Sequence, residues 1–315
     1  MLSGMNKNHN RSNVAFVFPG IGVDLSGYES HLYSRHTAVY KPFLDEGSAL
    51  AGADLTEALE SDSITELGQR ENQIFIYCFS AATFQVYARH NRHPDFTAGY
   101  SFGIYAALYA VKAVSFSDGL AILDKAYSLM EQLELEKPVG IGVVIGLSLP
   151  DLEAILGDSA LSSLYHINSN NTYCHIFCGY RSEIDKLNTR ALQAEAVSAV
   201  ALNITLPYHH PMLAREVREP FIRFLKKLSW RKPTCPVISS INQNLLTAPD
   251  ELMVFTAQHL NTPITWHKTV ERIYSEKCTN IIECGPGISL TQNARFISGN
   301  AEWINCKNSK TRLGI

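Results

Sequence analysis

Short apolar runs alternate with longer amphipathic segments along most of the chain. The run 13–18 ends at a Pro-Gly turn and predicts a buried strand, whereas 71–90 is apolar on most faces and predicts a central helix. A further short run, 95–99, leads into an Ala-rich helical segment, and Ser115 with Asp118 marks the start of another helix. Strands that alternate with helices in this way favour a parallel α/β sheet.

The pattern changes near residue 137. From there we predict a strand, a short helix ending at Gly157, two strands joined by a turn, a helix and a last strand. This β-α-β-β-α-β order is that of a ferredoxin-like unit, which we place as an insert at 138–205. Residues 13–137 and 206–306 are assigned to a large α/β-hydrolase-like subdomain. Residues 1–12 and 307–315 are assigned to flexible tails.

Composition narrows the class of protein. The 315 residues can bury a large core, and 46% hydrophobic with 18% charged residues is typical of a soluble globular enzyme. A net charge of -3 gives no reason to expect nucleic acid as a partner, and no apolar run is long enough for a membrane span. The cysteines stand singly, without a C-x-x-C pair that predicts zinc. Their odd number, seven, and a polar leader without a signal-peptide core lead us to expect a cytoplasmic protein.

The stretch "GYSFG" contains the pattern G-x-S-x-G between a predicted strand and a predicted helix. Gly99 and Gly103 let the chain turn sharply and leave the Ser101 hydroxyl exposed, as in a nucleophile elbow. The following helix N-terminus favours negative charge beside that hydroxyl. An ordinary turn with two glycines gives the same pattern, so the prediction depends on a base and an oxyanion hole elsewhere.

A base is offered by His209 or His210, which stand between Pro207 and Pro211 in "LPYHHPML". The prolines restrict the backbone and hold an imidazole in place, which suits a general base for a serine. A pair of partly exposed loop histidines remains the alternative interpretation.

An oxyanion hole needs two backbone N–H groups that point at one position. Phe102, directly after the serine, offers one of them. Ile21 offers the second, because Gly20 and Gly22 leave the turn around it open. An ordinary strand-ending loop is the alternative interpretation of this turn.

Together these pieces resemble the malonyl-CoA:acyl-carrier-protein transacylase fold, which includes the acyltransferase domains of fatty-acid and polyketide synthases. The similarity spans roughly residues 13–306, and the motifs occur in the family's order. The first three are "FVFPGIG" for F-P-G-Q-G, "GYSFG" for G-H-S-[LF]-G, and "PYHHPML" for the segment with the catalytic histidine. The last two are "LNTPITWHKTVE" for L-x-x-P-V-x-W-x-x-[ST]-[VI]-x, and "IIECGPGISL" for E-x-G-P-G.

The resemblance implies a ping-pong acyl transfer with Ser101 as the nucleophile and His209 as the base. In this family a backbone carbonyl orients the base, and its position here is that of His259. Ile21 and Phe102 take the oxyanion positions. Gln73 matches a glutamine near the acyl site, and Asn170 loosely matches an N-S-P turn. The expected substrate-binding residues are Gln73, Tyr100, Ala126, Met130, Asn170 and Tyr208.

The departures from the family pattern concern the acyl group. Malonyl-transferring members carry an arginine in R-G-x-L-M that pairs with the malonate carboxylate, whereas this chain reads "AYSLM" with Ala126 at that position. Lys125 points about 100° away on the helix. Ile21 replaces a glutamine and makes the site more apolar, while Tyr100 and Ile104 replace a histidine and a glutamate as packing changes. We therefore expect an uncharged acyl group.

The function predicted by the resemblance is transfer of such a group to or between carrier-protein phosphopantetheine thiols, in polyketide or related secondary metabolism. Acyl-CoA or an acyl carrier protein is the expected substrate, and no permanently bound cofactor or metal is expected. A proofreading acyl hydrolase is the alternative. An α/β-hydrolase esterase would need an acid after Ser101 and a later histidine, and a non-catalytic docking subunit would not need Ser101 or His209.

The segment 215–232 predicts a helix with one apolar face, formed by Val217, Phe221, Phe224, Leu225 and Leu228. Pro220 predicts a kink or a break in it. Its many basic residues predict a docking surface for acidic carrier proteins, with a solvated helix face as the alternative. They are Arg215, Arg218, Arg223, Lys226, Lys227, Arg231 and Lys232.

Overall fold

A computed structural model describes residues 13–23, 25, 27–157 and 161–310. Its strands are β1 (Asn13–Phe18), β2 (Phe96–Gly99), β3 (Val139–Ile145), β4 (Tyr165–Asn171), β5 (Cys174–Tyr180), β6 (Ser198–Leu202), β7 (Val237–Ile238), β8 (Leu245–Leu246), β9 (Cys278–Glu283) and β10 (Glu302–Ile304). Its helices are α1 (Glu29–Arg35), α2 (Thr37–Ala51), α3 (Leu55–Glu60), α4 (Gln69–Arg89), α5 (Ile104–Ala110), α6 (Phe116–Glu131), α7 (Leu149–Leu156), α8 (Arg181–Gln193), α9 (Arg218–Leu225), α10 (Pro249–His259), α11 (Trp266–Ser275) and α12 (Ser289–Ala294).

The larger sheet has the strand order β10-β9-β1-β2-β7-β8 in the described part of the chain. Its pairs are parallel except that of β7 with β8. Along β1, Phe16 and Phe18 face one buried cluster, and Ala15 and Val17 face another. A parallel strand with helices on both faces is apolar throughout for this reason, and the α/β fold predicted from the sequence is confirmed.

The smaller sheet is antiparallel, with the order β4-β5-β3-β6. Combined with the β-α-β-β-α-β succession, this order confirms the predicted ferredoxin-like subdomain. Its inner face contributes Ile141, Ile167 and Ile176 to a buried cluster that also contains Tyr100 and Tyr208 of the large subdomain. The residues 138–205 stay our predicted extent of this insert.

Two helix predictions from the sequence are confirmed. Every residue from 73 to 84 of α4 is buried, as expected for a central helix. α6 begins with a capping box in which the Ser115 hydroxyl accepts the Asp118 N–H at 3.0 Å, while the Asp118 carboxylate accepts the Ser115 N–H. No helix within the described ranges combines the length and the apolar character that crossing a membrane requires.

The predicted helix 215–232 is wrong in length. A 3-10 turn, Arg215–Val217, precedes α9, which ends at Leu225. Pro220 is the third residue of α9, where its missing N–H removes no intrahelical bond, so it marks a helix start and no kink. The predicted apolar face is present: Val217, Phe221 and Leu225 are buried, and Phe224 and Leu228 are half-buried.

The C-terminal segment also differs from the prediction of a flexible tail. Residues 307–310 pack against β10: the Asn308 side chain donates to the Trp303 carbonyl at 3.1 Å, and Ser309 is buried. The predicted tails 1–12 and 311–315 lie outside the described residues.

Candidate active site

The elbow around Ser101 forms where β2 ends and a 3-10 turn, Ser101–Gly103, leads into α5. Ser101 adopts the left-handed region with φ +50°, a strained conformation for a residue with a side chain. A Cβ at Gly103 would collide with the carbonyl oxygen of Phe18 at the end of β1. The glycine is therefore needed for close approach of α5 to the sheet, and the strain itself falls on the serine.

Ser101 and His209 meet across the fold. The hydroxyl oxygen of Ser101 lies 2.9 Å from Nε2 of His209. His209 is also left-handed, with φ +63°, and its backbone N–H donates to the Leu260 carbonyl at 2.8 Å. Nδ1 of the ring lies 3.2 Å from the Thr262 carbonyl oxygen, which can only accept. The proton therefore sits on Nδ1, and the lone pair of Nε2 faces the hydroxyl.

The environment keeps this imidazole neutral. Burial lowers the pKa of His209 to about 4, and hydrogen bonds to the Thr262 and His259 carbonyls oppose that shift. The carbonyl predicted to orient the base was that of His259. The His259 carbonyl is one of the two backbone acceptors at the ring, and the 3.2 Å contact with Nδ1 is made by the other, Thr262, three residues further along the chain. The His259 ring stands edge-on to the His209 ring, with 4.9 Å between centroids.

Two small cavities adjoin Ser101 and His209. The larger, of about 50 Å³, lies between the subdomains and is lined mainly by aliphatic side chains such as Ile141, Ile167 and Ile176. The smaller, of about 10 Å³, is bounded by Phe102, Tyr105 and Leu260, among others. None of the described residues that line either cavity is a lysine, arginine, aspartate or glutamate.

The predicted oxyanion residues lie beside the serine. Ile21 lines both cavities and Phe102 the smaller one. A Cβ on Gly20 would come within 2.6 Å of the Tyr100 carbonyl oxygen, so the loop after β1 runs directly against the elbow. Both loops leave the carboxyl edge of parallel strands, where open α/β sheets place ligands.

One polar group in the larger cavity was missed by sequence reasoning. Asn168 of β4 lines the cavity, and its Nδ2 donates to the Tyr100 hydroxyl at 3.0 Å. Its Oδ1 accepts the backbone N–H of Trp266 at 3.0 Å, which joins the insert to α11. The predicted Asn170 stands behind it and accepts from Asn168 Nδ2 at 2.7 Å. Burial raises the pKa of Tyr100, so its hydroxyl stays protonated.

The other predicted substrate-binding residues divide into two groups. Tyr208 lines both cavities, and its hydroxyl accepts from the Gln73 side chain at 3.2 Å. Ala126 and Met130 are buried in α6 but line neither cavity, because α6 packs against α4, α5 and α9. Within the described part of the chain, no group of three or more His, Cys, Asp or Glu side chains is arranged to hold a metal ion.

Comparison with known proteins gives relatives of one kind. No protein-family model matches the chain. It is 27% identical to the malonyl CoA-acyl carrier protein transacylase of Staphylococcus aureus over 287 residues, which cover 89% of this chain and 91% of the relative. It is 24% identical to the Escherichia coli O157:H7 protein of the same name over 280 residues, 88% of this chain and 90% of that one.

Solved structures agree with the sequence comparison. An acyl-carrier-protein S-malonyltransferase from Burkholderia pseudomallei superimposes with a TM-score of 0.85 at 23% identity, covering 96% of this chain and 100% of the other. A malonyl-transacylase in complex with its type II PKS acyl-carrier protein gives a TM-score of 0.82 at 22% identity, with coverages of 93% and 96%. The chain therefore has the fold of the malonyl CoA-acyl carrier protein transacylases and is related to them in sequence over most of its length.

Proposed function

We propose that the protein is an acyltransferase that moves an uncharged acyl group to or between the phosphopantetheine thiols of acyl carrier proteins. The observation that carries the proposal is the 2.9 Å contact of Ser101 Oγ with His209 Nε2 beside an aliphatic cavity. The relatives that are named as acyl-carrier-protein transacylases support the carrier protein as partner. A relative bound to a type II PKS carrier protein supports a polyketide or related pathway.

In the first half-reaction Ser101 Oγ attacks the thioester carbonyl while His209 Nε2 takes the hydroxyl proton. The new C–O bond gives a tetrahedral oxyanion, for which we assign the N–H groups of Ile21 and Phe102 as donors. The C–S bond then breaks, and His209 returns its proton to the leaving thiolate. The Thr262 carbonyl stabilises the imidazolium during this step, because it accepts from Nδ1–H.

The second half-reaction runs the same steps in reverse with a new acceptor. A phosphopantetheine thiol gives its proton to His209 and attacks the ester carbonyl of acyl-Ser101. The C–O bond breaks, Ser101 Oγ recovers the proton, and the acyl group leaves as a thioester. This cycle does not require an aspartate or glutamate beside His209. The imidazole that is held by the Thr262 carbonyl is sufficient as the base.

Hydrolysis is the second candidate function, in which water takes the place of the thiol. The smaller cavity, about 10 Å³ beside Ser101 and His209, is close to the smallest space that holds one water. The experiment is to load Ser101 from a short-acyl carrier protein, remove excess donor, and follow the mass of the protein with time. We expect acyl-Ser101 to persist until a second carrier protein is added. Free acid released without an acceptor would instead establish the hydrolase.

We assign the docking of the acyl carrier protein to the seven basic residues of 215–232, all of which are exposed. Reversing two of them, Lys226→Glu with Lys227→Glu, is expected to slow acylation from carrier-bound donors by about tenfold at low salt. Acylation from a small thioester mimic should not change. The matched control reverses Lys186 and Lys310, which are exposed elsewhere. Equal slowing with both kinds of donor would rule out docking on this segment.

A further inference from the structure

His210, beside the base, is a buried histidine for which the proposed cycle has no step. It is 3% exposed, and both of its ring nitrogens are engaged. Nδ1 accepts the backbone N–H groups of Met212 at 3.2 Å and Leu213 at 3.1 Å. Nε2 lies 2.9 Å from the carbonyl oxygen of Ser163. Since a carbonyl only accepts, the ring is neutral with its proton on Nε2.

The partner of His210 is firmly held within the ferredoxin-like insert. The Ser163 hydroxyl accepts the Tyr180 N–H at 2.9 Å, and the Ser163 N–H donates to the Glu183 carboxylate at 2.8 Å. These bonds fix the segment before β4 to the end of β5 and to α8. The His210 ring therefore joins a rigid part of the insert to the loop that carries the base.

That loop holds a conformation that needs support. His209 is left-handed at φ +63°, which persists in a residue with a side chain only when its surroundings enforce it. One enforcing contact is the bond of the His209 N–H to Leu260 in the large subdomain. The contacts of His210 with Met212, Leu213 and Ser163 hold the loop on the other side. Burial lowers the pKa of the His210 ring, which agrees with its neutral form.

We propose that His210 is a positioning residue. It ties the turn 209–213 to Ser163 of the insert and thereby holds the His209 imidazole within reach of the Ser101 hydroxyl. This inference rests on the Ser101–His209 chemistry of the proposed function but not on the identity of the acyl group. Loss of the tie lowers the rate of the chemical step and leaves binding unchanged, because His210 lines neither cavity.

Two substitutions test the contacts of the two ring nitrogens of His210 separately. His210→Asn keeps an acceptor near the position of Nδ1 for the turn but cannot reach Ser163. His210→Gln keeps an amide donor near the position of Nε2 and can reach it. His175→Asn is the matched control, because His175 is also buried, with Nδ1 on the Ser169 hydroxyl and Nε2 on the Thr172 carbonyl. Ser101→Ala gives the background.

The probe is an alkyl fluorophosphonate, which reports on the serine and its base whatever the natural acyl group is. Ser101 Oγ forms a bond to phosphorus, fluoride leaves, and the hydroxyl proton passes to His209. For His210→Asn we expect the maximal labelling rate to fall about 10- to 100-fold with the half-saturating concentration within about twofold of the parent. For His210→Gln we expect a rate within about threefold of the parent. His175→Asn should melt earlier but label at the parental rate.

The outcomes are separable. A parental rate for His210→Asn overturns the inference, and so does a change confined to the half-saturating concentration. Equal rates for the Asn and Gln variants at matched melting temperature also overturn it, because the tie to Ser163 then has no effect. A parent protein that fails to label contradicts the Ser101–His209 pair and this inference with it. A parent that labels normally but accepts no acyl thioester contradicts only the proposed function.

Discussion

His209→Ala is expected to slow acylation of Ser101 by about 10²- to 10⁴-fold, the range that a general base contributes. The imidazole is the only described group that hydrogen-bonds the Ser101 hydroxyl, so the alanine variant leaves a hydroxyl that must lose its proton to water. The measurement is rapid quenching followed by mass analysis of the protein, with a neutral short-chain acyl thioester as donor. His175→Asn serves as a control for a buried histidine away from Ser101, and melting curves show that each variant is folded.

The pH profile of the same reaction tests the state of the base. Burial sets the pKa of His209 at about 4, below its ordinary value of 6.5, so the base is neutral throughout the physiological range. The acylation rate should be flat between about pH 8 and pH 5 and fall as His209 is protonated near pH 4. A rate that already halves near pH 6.5 would show that the ring is not shielded as the structure has it.

The lowered pKa of His209 also makes the stability of the folded protein depend on pH. A histidine whose folded pKa lies below its unfolded pKa binds its proton first in the unfolded chain. The folded protein is therefore undisturbed above pH 6.5 and loses stability as the pH falls from there toward 4. His259 shifts in the same direction because of burial and of His209. Melting temperatures across this interval should fall in the parent and fall less in His209→Ala.

The Ser101 hydroxyl and the His209 imidazole could both be predicted from the sequence as candidate groups, because each residue stands in a local pattern. A serine between glycines at a strand end and a histidine between prolines have signatures within a few residues. Their meeting at 2.9 Å across 108 positions of sequence needed the fold. The orienting group could not be predicted from residue types, because any residue supplies a carbonyl. Only the tertiary path of 259–262 decides that Thr262 makes the 3.2 Å contact.

Polar residues inside a strand were also beyond sequence reasoning. "YHINSNNTYC" contains three asparagines in β4, and the register of that strand is irregular between His166 and Asn168 and again between Ser169 and Asn171. Such bulges break the two-residue alternation of a strand, and that alternation is what predicts the face of the sheet to which each side chain points. Asn168 therefore faces the cavity, and the family pattern pointed only to Asn170. β10 could not be predicted for a different reason, because its three residues are too few to show a hydrophobic periodicity.

The helix predicted for the basic segment 215–232 is too long because of how Pro220 was interpreted. An apolar stripe continued to Leu228 and suggested a helix from 215 to 232. Pro220 fits the first turn of a helix without loss, so the chain starts α9 at Arg218 and ends it at Leu225. Lys226 and Lys227 consequently lie in the turn after α9, and Arg231 and Lys232 lie in the loop before β7, so all four present their charge from outside the helix.

The second large effect concerns the charge of the acyl group. Malonyl-CoA and isovaleryl-CoA carry acyl groups with the same number and branching of heavy atoms, but only malonyl ends in a carboxylate. We expect malonyl to acylate Ser101 at least about 100-fold more slowly, because burying an unpaired carboxylate costs several kcal/mol. The cavity offers aliphatic walls, and the Asn168 amide is already bonded to Tyr100 and Trp266.

The comparison isolates charge from size, which single-substrate assays do not. If size were the limit, both donors would be slow and acetyl-CoA fast; if charge is the limit, isovaleryl and acetyl load and malonyl does not. The position that resembles the family's arginine is Ala126 on α6, whose methyl group lines neither cavity. We therefore expect the discrimination to arise from the absence of a cation among the described lining residues, not from a clash. Rapid and stoichiometric malonylation of Ser101 would mean that a cation from outside these walls reaches the carboxylate, and the uncharged-substrate proposal would then be abandoned.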